Sequence, residues 1–247
     1  MKTYAIILAA GKGTRMKSDL PKVLHPIGGM PMVEHLVNKL EQMKIDEIIV
    51  VVGHKGELIK EHLGERVSYV EQAEQLGTAH AVRQCESLLK DKRGATLVLT
   101  GDTPLIESTT IQNLLRLQFE TQCAGVVLTA KQDDPTGYGR ILRDQETKRV
   151  IGIVEEKDAT PEQKRIQEVN TGIFCFDNQS LFQALPNIGN DNAQKEYYLT
   201  DIIEAMRGKR FETVILEDPI EVMGINSREQ LAEAERAYNE RTCGENH

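Results

Sequence analysis

The segment Leu8-Ala9-Ala10-Gly11-Lys12-Gly13-Thr14-Arg15-Met16 closes the first apolar run of the chain. Its glycines and small alanines let backbone N–H groups approach an anion closely, while Lys12 and Arg15 bring positive charge to the same place. GxxxxGK[ST] cannot be placed on it, and the sixth position counted from Gly11 is Met16, so it is neither a Walker A loop nor a dinucleotide fingerprint. A tight strand-to-helix turn with solvated basic residues would use the same composition. Lys22 follows in Leu20-Pro21-Lys22-Val23-Leu24. Between apolar neighbours it can turn inward as a second phosphate contact, although a lone Lys more often stays at the surface.

Asp102 stands directly after the apolar run Thr96–Thr100. Ligands of open parallel sheets gather at the carboxyl ends of strands. One carboxylate there suits Mg²⁺, which takes one or two protein oxygens and completes its shell with phosphate and water. Asn226, after Gly224-Ile225, offers a neutral oxygen that could complete such a site; both residues also read as turn formers. Glu71-Gln72-x-x-Gln75-x-Gly77-Thr78 joins amide side chains, suited to the edge of a nucleobase, to a Gly-Thr step in which Thr78 could equally cap a helix. His25, His35, His54, His62, His80 and His247 form no zinc spacing, and there is no GxSxG nucleophile elbow.

These residues need a scaffold that presents them together. Tyr4–Ala10, Ile48–Val52, Val67–Val70 and Thr96–Thr100 read as strands, the second and fourth as runs buried on both faces. Met32, Val33, Leu36, Val37, Leu40 and Met43 mark a helical face with Pro31 as its first position. Lys55–Leu63, Thr78–Lys90 and a segment through Ile111, Leu114, Leu115 and Leu117, with Ser108 as candidate cap, read as further helices. Strand and helix alternate at the tempo of a parallel sheet with right-handed crossovers. The second half is less regular: strands are expected at Val126–Ala130, Val150–Glu155 and Asn170–Phe176. Helices are expected at Tyr197–Met206 and Ser227–Tyr238, the latter opening on a capping box from Ser227 to Gln230. No linker stands out, so one domain with insertions is expected.

The chain has 247 residues, 30 Lys and Arg against 38 Asp and Glu, and a net charge of −8. No global positive field attracts polynucleotides or acidic membranes, so any phosphate must be held locally. No run approaches the roughly 18 apolar residues of a membrane span. The four cysteines form no CxxC, which suits a reduced, cytoplasmic protein with unpaired thiols.

Taken in order, the segments resemble the sugar-nucleotide pyrophosphorylases, within the sugar nucleotidyltransferase family. LAAGKGTRM with Leu20–Leu24 carries the general likeness. Gln72-Ala73-Glu74-Gln75-Leu76-Gly77-Thr78-Ala79-His80-Ala81 and Asp134-Pro135-Thr136-Gly137-Tyr138-Gly139-Arg140 narrow it to the uridylyltransferase half of bifunctional bacterial enzymes that make UDP-N-acetylglucosamine, a cell-wall precursor. Gly152–Ala159, Glu168–Gly172, Asn192–Asp201 and Gly224-Ile225-Asn226 complete the series.

The resemblance implies an α/β fold, a Rossmann-like doubly wound, mostly parallel (mixed) sheet of the nucleotidyltransferase type. Residues 1–226 would form the nucleotidyltransferase domain and 227–247 a C-terminal helix and tail. It further implies that Leu8, Ala9, Ala10, Gly11, Lys12, Gly13 and Lys22 bind the nucleotide, the Gly11–Arg15 loop and Lys22 holding the UTP phosphates, and that Gln72, Gly77 and Thr78 read uracil. Arg15, Lys22 and Asp102 would be catalytic, and Asp102 and Asn226 would bind Mg²⁺. Gly139, Glu155, Asn170 and Asn226 would hold N-acetylglucosamine 1-phosphate, supported by the loop at Tyr197–Thr200. Thr100 stands where many relatives carry an aromatic or bulky apolar residue, which touches one wall of the sugar site. No hexapeptide repeat is present, so neither the left-handed β-helix nor its trimer contacts and acetyltransferase activity are expected; a monomer or weak oligomer is. UTP or dTTP transfer to another sugar 1-phosphate such as glucose 1-phosphate, and a non-catalytic sugar-nucleotide-binding regulatory protein, are the alternative readings.

Overall fold

In the computed structural model, which describes residues 1–244, the strands are β1 (Thr3–Leu8), β2 (Pro26–Ile27), β3 (Met30–Pro31), β4 (Glu47–Val52), β5 (Ser68–Glu71), β6 (Ala95–Thr100), β7 (Gly125–Lys131), β8 (Arg140–Arg143), β9 (Val150–Val154), β10 (Glu168–Asp177) and β11 (Phe211–Leu216). The helices are α1 (Met32–Gln42), α2 (Gly56–Leu63), α3 (Thr78–Arg83), α4 (Glu86–Leu89), α5 (Ser108–Thr121), α6 (Asn178–Ala184), α7 (Ile202–Ala205) and α8 (Arg228–Gly244). Glu245, Asn246 and His247, and the side chain of Cys243, lie outside what is described.

The main sheet runs β11-β7-β10-β6-β1-β4-β5, with the β8–β9 hairpin attached through β10 and a separate β2–β3 hairpin. The β6-β1-β4-β5 portion is parallel, and β10 runs antiparallel to both β6 and β7. The expected mixed, doubly wound α/β sheet is therefore present. The chain leaves β1 toward β4 and β5 on one side and later fills β6 on the other. That reversal makes the carboxyl ends of β1 and β6 the topological switch point, where ligands of open sheets bind.

Period-2 alternation supplies both faces. Ala5, Ile7, Val50, Val52, Leu97 and Leu99 pack under Val33, Leu36, Leu40, Ile111 and Leu114. Tyr4, Ile6, Ile49, Val51, Val98 and Phe174 pack under Ala79, Val82, Leu89, Leu181 and Ile202. Burial on both faces explains the uninterrupted apolar runs of the central strands. The thiols of Cys85, Cys123 and Cys175 are unpaired and buried. No helix among the described residues is long and apolar enough to cross a membrane.

Several boundaries differ from expectation for local reasons. Pro31 precedes α1 in the N-cap position instead of opening the helix. Ser108 is the first residue of α5, and the N-cap is Glu107. The helix expected over Thr78–Lys90 is broken between α3 and α4. The helix expected over Tyr197–Met206 begins only at Leu199: Tyr197 donates its N–H to Leu76 O at 2.8 Å and accepts from Ala79 N at 2.9 Å, which commits its backbone elsewhere. Strands β8 and β11 and helix α6 were not expected. At Ser227 the capping box is offset: Gln230 N donates to Ser227 Oγ, but Gln230 Oε1 accepts from Asn226 N. In α8, Leu231, Ala234 and Tyr238 pack with Ile27 and Met32.

Candidate active site

Backbone bonds align the loops at the switch point. Leu8 O accepts from Gly101 N at 2.9 Å, and Ala9 N donates to Val51 O at 2.9 Å. The loop from β1 therefore leaves between the ends of β4 and β6, directly beside the Gly101-Asp102 turn. Beyond Gly13 it makes one turn of 3₁₀ helix, Thr14–Met16, anchored by the fully buried Met16. No α-helix follows, contrary to the simple strand-to-helix reading.

The two glycines differ in what they accommodate. Gly13 adopts φ 60, and a Cβ there would lie 2.8 Å from Lys22 Cβ, so its bareness admits Lys22. At Gly11 a Cβ would meet nothing of the protein within 4 Å, leaving that side of the loop open. Lys12 and Arg15 are exposed, and among the described residues their side chains make no hydrogen bond or ion pair. Two unpaired cations flank an open loop.

Lys22 does turn inward. Pro21 precedes a 3₁₀ turn, Lys22–Leu24, whose Val23 and Leu24 are buried. That tether directs the ammonium onto the Asp102 carboxylate, and it also donates to Asn226 Oδ1 at 2.9 Å. The Lys22 and Asp102 side chains are each only 16% exposed. Ile225 N donates to Asp102 O at 3.0 Å and closes the arrangement from the other end of the chain. A carboxylate and a carboxamide oxygen thus converge on one cation, and the same pair of hard oxygens suits Mg²⁺. No group of three or more His, Cys, Asp or Glu able to hold a metal occurs among the described residues.

The Gln72–Thr78 segment lies beyond β5. Gln72 is buried; its Nε2 donates to Gly77 O at 3.0 Å and lies 3.0 Å from His80 Nδ1. Gly77 has φ 116, and a Cβ there would come within 2.5 Å of Tyr197 O. Thr78 Oγ1 accepts from Leu199 N at 2.9 Å, so it joins two segments instead of capping α3. Gln72, Gly77 and Thr78 thus brace a loop whose open edge faces the ends of β1 and β4; Gln75 lies against Gly53, which in turn abuts Ala10.

Gly139, Glu155 and Asn170 form a second group. Asn170 N donates to Gly139 O at 2.8 Å, and a Cβ on Gly139 would lie 3.4 Å from both Glu155 carboxylate oxygens. Asn170 sits at the irregularity of β10, where its Oδ1 accepts from Gly172 N and Gly172, at φ 81, approaches Thr100. Thr200 Oγ1 donates to Glu155 Oε1 at 2.9 Å. Burial pushes the Glu155 carboxyl up, with Asp158 adding to the effect and Thr200 opposing it. Asp201 is pushed up to about 6, mainly by burial and then by Glu155. Glu155, Asp158, Thr200 and Asp201 line one end of a cleft of about 1200 Å³ between β9 and the Leu199–Ala205 segment, while Gly139 and Asn170 lie outside its lining. Asn226, assigned to both metal and sugar, stands with Lys22 and Asp102 and makes no hydrogen bond to this second group.

Supporting residues had no signal in the sequence. Lys39 donates to Pro104 O at 2.6 Å and Ile106 O at 2.7 Å, holding the turn after Asp102. Arg140, 1% exposed, pairs with Glu156 at 2.7 Å and donates to Tyr138 O, fixing the Gly137–Gly139 loop. A charged residue following a glycine-rich loop gives no hint that it folds inward.

A mixed doubly wound sheet with an open glycine loop and a Lys–Asp–Asn cluster at its switch point defines a class, and the chain belongs to the nucleotidyl transferase family, whose model matches residues 4–219. It is 54% identical over 240 residues to the bifunctional protein GlmU of Enterococcus faecalis, covering 96% of this chain and 52% of that protein. It is 50% identical over 249 residues to the bifunctional protein GlmU of Listeria monocytogenes, covering 100% of this chain and 54% of that one. The chain spans about half the length of the curated relatives it matches. Among solved structures it resembles a UDP-glucose pyrophosphorylase complexed with UDP-glucose, at TM-score 0.76 and 19% identity, covering 98% of this chain and 100% of that one. It also resembles a putative glucose-1-phosphate thymidylyltransferase from Bacillus anthracis in complex with a sucrose, at TM-score 0.73 and 22% identity, covering 95% and 94%. These two likenesses concern the fold.

Proposed function

We propose that this chain transfers UMP from UTP to N-acetyl-α-D-glucosamine 1-phosphate, giving UDP-N-acetylglucosamine and pyrophosphate, with Mg²⁺ as the metal. The observation that carries the reading is the convergence of Lys22, Asp102 and Asn226 beside a loop bearing two partner-free cations. About 50% identity to bifunctional GlmU proteins over the whole chain supports the choice of substrates.

The chemistry needs little acid or base work. A sugar phosphate oxygen, already anionic, attacks the α-phosphorus of UTP in line, and pyrophosphate leaves. The obstacle is repulsion between two phosphorylated substrates, which fixed cations and backbone N–H groups relieve. Lys12 and Arg15 hold the β- and γ-phosphates and take up the charge growing on the leaving pyrophosphate. Lys22 exchanges its internal carboxylate for the α-phosphate. Asp102 and Asn226 would hold Mg²⁺, which supplies charge neutralisation and orientation of the phosphates. The Gln72–Thr78 loop reads the base, while Gly139, Glu155 and Asn170 hold the sugar.

Pyrophosphate release from UTP and N-acetylglucosamine 1-phosphate, with and without EDTA, tests the proposal. Turnover abolished by EDTA and restored by Mg²⁺ is expected. Higher kcat/KM with dTTP, or with glucose 1-phosphate, would overturn the substrate assignment, and no release under any pairing would favour a sugar-nucleotide-binding protein without catalysis.

A further inference from the structure

Among the described residues Arg15 makes no hydrogen bond or ion pair, so its position is set by the short turn that carries it. That turn is fixed at its entry by Gly13 against Lys22 and in its interior by the buried Met16. Its exit is held from the other end of the chain. Arg228, the first residue of α8, donates Nε to Met16 O and Nη2 to Lys17 O, each at 3.2 Å. Lys17 needs such support, because it adopts φ 48, a left-handed conformation that side chains other than glycine rarely take. The guanidinium fork matches two successive carbonyls that point out of the turn.

Arg228 is also rigidly related to the metal-side residues. Two positions earlier, Asn226 Oδ1 accepts from Lys22, while its N–H is fixed by Gln230 Oε1 at 2.8 Å. Gln230 N in turn donates to Ser227 Oγ at 3.3 Å. One short, hydrogen-bonded segment at the start of α8 therefore grips both cation-bearing segments, the Lys22 turn through Asn226 and the Arg15 turn through Arg228. Glu235, further along α8, anchors a different feature, the Gly28 N–H, at 3.0 Å.

We propose that Arg228 is a positioning residue that fixes the distance between Arg15 and the Lys22–Asp102 cluster, and so aligns the leaving pyrophosphate with the reacting phosphorus. The role rests on the transferase reading above. It requires that Arg228 act through Arg15 and not through the stability of α8.

The test is a double-mutant cycle on the whole chain, read as pyrophosphate release. Arg228→Ala is expected to lower kcat about tenfold while leaving KM for the sugar 1-phosphate unchanged, since misalignment raises the barrier without removing a substrate contact. Arg228→Lys, which can still reach one carbonyl, should recover part of the loss, and added ethylguanidinium should rescue Arg228→Ala. In an Arg15→Ala background the further change Arg228→Ala should cost almost nothing, because the two act as a unit. Glu235→Ala should loosen α8 but leave kcat unchanged. Full turnover of the wild-type chain with additive losses from Arg15→Ala and Arg228→Ala, or equal kcat losses from Arg228→Ala and Glu235→Ala, would overturn the positioning role alone. An absence of turnover in the wild-type chain would overturn the transferase reading itself.

Discussion

The ammonium of Lys22 donates to Oδ1 of Asn226 at 2.9 Å across 204 positions of sequence, and the same nitrogen pairs with Asp102. A lysine thereby occupies the point on which the two hard oxygens converge. Under the proposed function, the ammonium and Mg²⁺ would compete for these oxygens, and substrate phosphate would offer Lys22 its alternative partner.

Lys22→Ala should therefore separate two properties that ordinarily fall together. Without the internal ammonium, the substrate-free chain should bind Mn²⁺ or Mg²⁺ about tenfold more tightly, because the ion no longer displaces a cation. Turnover should nonetheless fall by about a hundredfold or more, since a fixed charge on the reacting phosphate is gone. Mn²⁺ titration followed by electron paramagnetic resonance checks the first half. Unchanged or weaker metal binding would show that Asp102 and Asn226 are not the metal's ligands.

Arg15→Ala should affect function without affecting folding. The side chain is exposed and makes no hydrogen bond or ion pair among the described residues, so Tm should stay within about 1 °C of wild type. kcat should drop about a hundredfold and KM for UTP should rise much less, as for a contact strengthened in the transition state. Thermal melts beside steady-state kinetics decide it. A KM effect with kcat preserved would assign Arg15 to ground-state binding only.

Much of this arrangement was legible in the chain before any coordinates. The buried runs at Ile48–Val52 and Thr96–Thr100 announced central parallel strands, because burial on both faces leaves no room for polar alternation. Asp102 could be placed at a strand end from that alone. The edge strand β11 stayed hidden because the polar Glu212 and Thr213 fall on its two opposite faces, breaking both period-2 alternation and a continuous apolar run. The helix expected at Tyr197 failed because periodicity does not register a backbone already paired with the Gly77 loop. Lys39 and Arg228 were invisible for a related reason. Both act by donating to main-chain carbonyls, and a carbonyl has no sequence signature.

Gly77→Ala should destabilise the fold as well as the proposed base site. At φ 116 an L side chain is strained, and its Cβ would lie 2.5 Å from Tyr197 O and 2.7 Å from Tyr197 N, backbone atoms that cannot rotate away. Strain and displacement together should cost about 3 kcal/mol, lowering Tm by roughly 6–12 °C in a domain of this size. Because Tyr197 leads directly to Leu199 and Thr200, KM for both substrates should rise. A melt unchanged from wild type would mean that the Leu76–Ala79 and Tyr197 segments part at little cost.

The pH dependence of stability should carry the mark of Asp201, whose carboxyl is pushed up to about 6 from an ordinary 3.8, by burial first and then by Glu155, Glu204 and Asp158. A raised carboxyl binds its proton more tightly in the folded chain than in the unfolded one. Between about pH 4 and pH 6 the folded state therefore holds the extra proton, and stability falls as pH rises through that window. The full penalty stands at neutral pH, where Asp201 is charged among other acids. Discounted for partial solvent access, it amounts to about 1 kcal/mol. Asp201→Asn keeps the shape and removes the titration, so it should be more stable than wild type at pH 7.5 by about that amount. At pH 4 the two should be nearly equal. Urea unfolding at both values measures the difference directly. A variant destabilised at pH 7.5 would show that the charged carboxylate is needed there, and that something in the acidic end of the cleft holds it.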